Sequence, residues 1–161
     1  MNTGRVVSDV KGRILAGALA LFGALAAAQV QAAGVSTADV EGWLKRYGDA
    51  WVGVDADAAA ALFTENAIYH ENPHEAAFEG RQAIRDYWAR VTADQRDITF
   101  SSKVITTFGN SAVAHWAARF RSASSGAVIH LDGVFLLEFA EGGLCSALRE
   151  WWIVKVDAPQ P

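Results

Sequence analysis

The segment His70-Glu71-Asn72-Pro73-His74 holds the side chains of this sequence with the plainest chemical meaning. Two histidines four apart, with a glutamate after the first, match the H-E-x-x-H zinc pattern. On a helix both imidazoles face one way and bind the metal, while the glutamate works on the bound water. That chemistry needs the helix. Pro73 lies between the two histidines, lacks an N–H, and would press its ring against the carbonyl of Tyr69. It also drives Asn72 away from the α region, and the preceding Ala67-Ile68-Tyr69 favours a strand. The five residues are therefore expected to end a strand and enter a turn. A zinc hydrolase through His70 and His74 stays as a remote alternative, and the main reading has no metal.

Without a metal, the remaining side chains offer acid–base chemistry. The polar candidates for a pocket are Tyr47, His70, Glu71, His130, Asp132 and Glu150. A carboxyl group moved into apolar surroundings gains proton affinity and can exchange a proton near neutrality. His130 and Asp132 are two apart on one strand face and could orient one another. Phe135 has the opposite parity, so that pair should point away from a pocket lined by Phe135. His115 and His130 are isolated from one another and do not make a metal set. Arg149 reads as an ion-pair partner on the sheet. Cys145 has no cationic neighbour to lower its pKa, so it reads as a structural thiol and not a nucleophile.

The elements that would position these groups follow from periodicity. Ser36-Thr-Ala-Asp39 resembles a capping box, and Val40, Trp43, Leu44, Tyr47 and Trp51 then recur at helical spacing. Asp55 or Asp57 can cap a short second helix ending near Leu62-Phe63. Ala67 to Glu71 is a short strand, followed by a loop through Gly80. A third helix runs from Arg81 to about Val91 with Ile84, Trp88 and Val91 on one stripe. Four alternating segments follow: one marked by Ile98, Phe100, Val104 and Phe108, then Ala112–Ser122, Val128–Phe139 and Cys145–Val156. Gly-containing turns between them imply an antiparallel meander. The expected fold class is α+β, with three N-terminal helices on one face of a curved, mainly antiparallel sheet that forms a cone-shaped α+β barrel.

Arg5, Lys11 and Arg13 precede the uncharged run from Ile14 to Ala28, and Val30-Gln31-Ala32 offers small residues for cleavage. Basic, apolar and small-residue regions in that order make residues 1–32 a secretory signal peptide, with an uncleaved anchor as the rival reading. The protein is then expected in the periplasm or outside the cell, with no membrane partner after cleavage and one domain over residues 33–161. The net charge of −4 becomes more negative without that segment, which holds three basic residues against one acidic. No basic patch is left, which argues against nucleic acid. Six Trp, eight Phe and three Tyr supply an aromatic core and the lining of an apolar pocket.

Arg46-Tyr47, Asp55-x-Asp57, Ala61-Leu-Phe63, Asn66-Ala67, Gly80-x-x-Ala-Ile84, Tyr87-Trp88, Gly142-Gly143 and Arg149-Glu-Trp-Trp152 come in an order with a family likeness. Over residues 37–156 the chain resembles the nuclear transport factor 2-like superfamily, closest to its SnoaL-like branch. The superfamily includes ketosteroid isomerases, polyketide cyclases, dehydratases, epoxide hydrolases and proteins that only bind or dimerise. The resemblance implies a cone pocket, no cofactor, a small apolar ligand and sheet-to-sheet homodimers. Laid on the ketosteroid isomerase pattern, the oxyanion-stabilising tyrosine falls on Tyr47 and the general-base aspartate on Glu71. The supporting tyrosine falls on Trp88 and the second oxyanion acid on Phe135, so steroid isomerisation lacks a donor. The aspartate that the branch often carries in its last strand is Ile153 here.

The carry-over thus makes Glu71 the general base and Tyr47 the donor, with Trp88, Trp116, Phe120, Phe135, Glu150 and Trp152 lining the pocket. The expected function is an exported protein that binds a small hydrophobic molecule and acts on it by isomerase-, dehydratase- or hydrolase-type proton transfer. A non-catalytic ligand-binding or dimerisation module is the alternative, since fold does not fix function.

Overall fold

The structure, a computed structural model, describes residues 34–158. The expected signal segment and its cleavage site lie outside the described residues. The chain runs α1 (Thr37–Val52), α2 (Ala56–Ala60), β1 (Phe63–His70), β2 (Phe78–Glu79) and α3 (Arg81–Val91). Four long strands complete it: β3 (Gln95–Phe108), β4 (Ser111–Ser122), β5 (Val128–Phe139) and β6 (Cys145–Asp157).

Ser36 starts α1 through a reciprocal cap. Its hydroxyl accepts from the Asp39 N–H, and the Asp39 carboxylate accepts from the Ser36 N–H. The first-turn donors left open by helix geometry are satisfied in this way. Val40, Trp43, Leu44, Tyr47 and Trp51 fall on the buried stripe that the spacing predicts. Gly48 lies on the same face, and a Cβ there would meet Phe100 at 2.4 Å, so its missing side chain lets α1 sit down on β3. Asp55, not Asp57, caps α2 by accepting from the Ala58 N–H; Asp57 pairs instead with Arg85 on α3.

The sheet order is β2-β1-β6-β5-β4-β3. All neighbours are antiparallel except β1 and β6, which run parallel. The sheet curls around the helices without closing, so the architecture is an open cone and the expected barrel is not completed. β1 starts at Phe63, four residues before the expected Ala67, and α2 ends at Ala60. Phe63 pairs with Cys145, and the register then slips before Ile68. The polar stretch Thr64-Glu65-Asn66 occupies that irregular part, and it masks the strand's start in a hydrophobic pattern. The two-residue β2 closes back on Ile68 and Tyr69 within what reads as a loop.

β4 turns Ala112, Ala114, Trp116 and Ala118 into the core, so Trp116 is the one large side chain among these four buried positions. It lies across Gly133 of β5, with Trp152 of β6 on the far side. A Cβ on Gly133 would meet the Trp151 carbonyl at 2.6 Å, Trp152 Cβ at 2.8 Å and Trp116 Cε2 at 2.9 Å. Only glycine lets both indoles share that strand. β6 is paired with β1 as far as Arg149; beyond Glu150 its residues through Val156 are exposed on both faces.

Candidate functional site

Three helices over one curled sheet leave a cavity of about 240 Å³ at the open end of the cone. α1 supplies Tyr47 and Trp51, and α3 supplies Tyr87, Trp88 and Val91. β1 gives Tyr69 and, one residue past its end, Glu71. Trp116 and Phe120 come from β4, and Glu150, Trp152 and Val154 from β6. On each strand the contributing residues are two or four apart, because successive side chains alternate faces. His70 shares its strand with Tyr69 and Glu71 but has the other parity and is absent from this wall.

Glu150 is the buried charge-bearing group of the cavity. The Tyr69 hydroxyl donates to its Oε1 at 2.8 Å, and the Tyr47 and Tyr69 hydroxyls are 3.0 Å apart. Counting protons orders this chain. Tyr69 has one O–H, and it goes to Glu150; the bond between the tyrosines is then donated by Tyr47. In that arrangement Tyr47 has no proton left for a ligand, and the free donor is a protonated Glu150 through its other oxygen. The reverse arrangement, with Glu150 donating to Tyr69 and Tyr69 to Tyr47, returns the free donor to Tyr47. A carboxylic acid is thus coupled to a phenol on the opposite wall.

Burial holds the Glu150 proton in place. Desolvation pushes its pKa up to about 8, opposed by the Tyr69 hydrogen bond and reinforced by the negative charge of Glu71. Tyr47 and Tyr69 are pushed far above the ordinary phenol range, first by burial and then by Glu150, so both keep their protons. Glu71 is only half-buried. Desolvation raises its pKa as well, but the Tyr87 hydroxyl opposes the rise. Two carboxyl groups thus share one cavity in unlike environments, the inner one wholly desolvated and the outer one half-open to solvent.

The expected lining residues Trp88, Trp116, Phe120, Glu150 and Trp152 all stand on this cavity, as do Tyr47 and Glu71. Phe135 needs correction. It is fully buried, stacked on Trp116 at 5.1 Å and edge-on to Tyr47 at 5.4 Å, one layer behind the wall. Its aromatic neighbours cover it on the side where the pocket was expected to reach it. Tyr69, Tyr87, Trp51 and Gln95 were not singled out as site residues. Tyr69 was legible in the parity of Ala67, Tyr69 and Glu71, had the strand been taken to face inward. Gln95 accepts the Trp51 indole N–H at 2.7 Å and so fixes that ring.

The histidines are elsewhere. His115 meets Asp132 at 3.0 Å and His130 meets Asp157 at 2.9 Å, so the anticipated His130–Asp132 pair is not made. Both pairs are diagonal across neighbouring strands, His115 standing opposite Val134 and His130 opposite Lys155, a separation that long side chains can span. Arg149 pairs with Glu138 on the sheet, as expected. His70 ends β1, and His74 lies exposed in a turn where its N–H donates to the Asn72 side chain at 3.0 Å. The helix that the zinc pattern requires is not formed.

A family model for the SnoaL-like domain matches residues 44–147. No curated protein gives a significant sequence match. Among solved structures, the chain is similar to SalBIII, described as an epoxide hydrolase/cyclase-like enzyme in pyran ring formation of the polyether salinomycin. That likeness has TM-score 0.64 and 20% identity, over 73% of this chain and 95% of that one. A Δ5-3-ketosteroid isomerase from Mycobacterium sp. gives TM-score 0.63 and 15% identity, over 74% and 98%. A computationally designed 17-OHP binder gives 0.62 and 17%, over 71% and 94%. At these identities the likeness is one of fold.

Proposed function

The chain belongs to the SnoaL-like domain family, and from that premise we propose that it is an exported pocket protein acting on a compact, largely apolar molecule by cofactor-free acid–base chemistry. The observation that carries this reading is Glu150, a carboxyl buried in an aromatic cavity with one oxygen held by Tyr69. In the proposed reaction Glu71, as carboxylate, takes a proton from a carbon beside a carbonyl or from a water molecule. Glu150 gives its proton to the oxygen on which charge develops. The two carboxyl groups end with their protons exchanged, and solvent at the mouth restores them. Positioned acid–base groups of this kind typically contribute about 10²–10⁴-fold. The kinship of fold with isomerases and cyclases supports the class of chemistry and does not name the substrate.

Export rests on the basic, apolar and small-residue order of residues 1–32. Self-association is supported by Trp151 and Ile153, 47% and 74% exposed on the outer face of β6. Sedimentation velocity on the purified protein reads it directly.

The main test is deuterium exchange. Compact ketones and epoxides are offered to the protein in D₂O, with tryptophan fluorescence reporting binding and NMR reporting exchange at carbon. Binding with exchange, abolished in Glu71→Gln and slowed in Glu150→Gln, is the expected result. Binding with neither exchange in the ketones nor opening of the epoxides by the wild-type protein would leave a non-catalytic binding module.

A further inference from the structure

The cavity is notable for what its walls present. Four indoles, three phenols and one phenyl ring line it, and its charged side chains are two carboxyl groups with no Lys, Arg or His among them. The rings do not stack into a slot. Trp88 meets Tyr47 at 88°, Trp51 at 79° and Tyr87 at 79°, with centroids 5.2, 5.4 and 6.1 Å apart. Rings at right angles on adjacent walls make a box. The indole N–H groups of Trp88 and Trp116 are buried without an acceptor and do not reach the cavity surface.

On the reading that this cavity is a ligand site, we propose that its ligand is a compact organic cation, a tertiary or quaternary ammonium ion without an acidic group. The ring faces carry the negative part of the aromatic quadrupole and attract such an ion, more strongly when it is desolvated. Its outer shell is alkyl, which suits an apolar box, and its charge answers Glu71 and Glu150. An anion would meet two carboxyl groups and no cation. A neutral apolar ligand would fill the space but leave Glu150, once ionised, without a counter-charge, since Arg90 acts on Glu71 and not on Glu150. The volume of about 240 Å³ exceeds the ~150 Å³ that holds benzene and is under the roughly 300 Å³ at which drug-sized sites begin. A trimethylammonium head with a short tail is of that size.

A cation in the box also favours ionisation of Glu150. The titratable groups facing that carboxyl are Tyr69 from β1, Glu71 just past it, Tyr47 from α1 and Tyr87 from α3. The three phenols keep their protons, so Glu150 and Glu71 are the groups that respond. Cation affinity should therefore rise as pH passes upward through the range where Glu150 loses its proton.

The test uses two molecules of one shape. Choline and 3,3-dimethylbutan-1-ol differ in a nitrogen cation replacing a carbon, and each is titrated into the purified full-length protein at constant ionic strength. Tryptophan fluorescence and calorimetry read binding, with cyclohexanone as a neutral cyclic control. Choline binding at least tenfold tighter than the alcohol at pH 8.5, with the ratio shrinking at pH 6 and in Glu71→Gln, is the expected result. Equal or tighter binding of the alcohol, or a response to cyclohexanone with none to choline, overturns the cation and leaves the pocket reading standing. No response to any of the three overturns both.

Discussion

The hydroxyl of Tyr69 donates to Glu150 Oε1 at 2.8 Å, and this one bond ties the inward face of β1 to that of its parallel neighbour β6. It stabilises Glu150 and takes up the only proton Tyr69 can give. Tyr69→Phe removes the donor and leaves two buried groups, Tyr47 and Glu150, each short of a partner. Losing a buried partner in this way costs about 1–3 kcal/mol. The expected outcome is a lower urea midpoint with an unchanged slope. The carboxyl of Glu150 should also titrate at higher pH, followed by its C=O stretch in infrared difference spectra. An unmoved titration would mean that the phenol does not support the acid.

Glu150 makes stability depend on pH with a definite sign. Its pKa is about 8 in the folded protein against an ordinary 4.5. Between those values the folded state keeps a proton that the unfolded chain has released. The group's contribution is complete below pH 4.5 and is lost as pH rises through about 8. At about 1.4 kcal/mol per pH unit, the loss amounts to a few kcal/mol. Glu150→Gln keeps the shape without the titration, so its urea midpoint should fall less than wild type's between pH 5 and 8. Parallel profiles for the two proteins would contradict the assignment.

Gly133 is the hinge of the tryptophan row. Alanine there would bring a methyl group within 3 Å of the Trp151 carbonyl, Trp152 Cβ and Trp116 Cε2. Two of these atoms belong to tryptophan side chains on the cavity, so relief comes by pushing them. Overpacking of this kind costs about 1–3 kcal/mol. The melting temperature of Gly133→Ala should drop, its near-ultraviolet dichroism should change, and ligand response should weaken. An unchanged tryptophan spectrum would show that the row tolerates a side chain.

Cys145 is buried at the start of β6, and burial pushes its thiol up to about 12. The thiolate is the reactive form. Iodoacetamide at pH 8 should leave the native protein at its original mass and add one adduct after unfolding in urea. Modification at equal rates in both states would refute the structural role.

The fold was largely legible, and the particular residues show why. Helical spacing of Val40, Trp43, Leu44, Tyr47 and Trp51 predicts both α1 and its buried face, because that stripe has one way to be covered. The four long strands follow from alternation between turns. The start of β1 was not legible, since its register slips where its residues are polar. Of the site, Tyr47, Glu71 and Glu150 could be placed on the cavity from family likeness and strand parity. What could not be read was the link among them. Which hydroxyl spends its proton on which oxygen depends on a parallel pairing of β1 with β6, and no local pattern encodes a pairing between distant strands. The same reason defeated the His130–Asp132 pair: partners across strands depend on register, and register comes only with the assembled sheet.

The parallel contact of β1 with β6 has a consequence for how the domain comes into being. Tyr69 and Glu150 are 81 residues apart, so the acid reaches its place only when the final strand docks between β1 and β5. Contacts that span so much chain are slow to form. A nascent polypeptide that has made everything through β5 presents a bare strand edge and an aromatic surface, and it lacks the buried carboxyl of Glu150. The cavity is thereby missing one wall in every incomplete molecule. The edge left open is the kind that aggregates or is recognised as unfinished, so the same strand covers the exposed edge and completes the cavity wall.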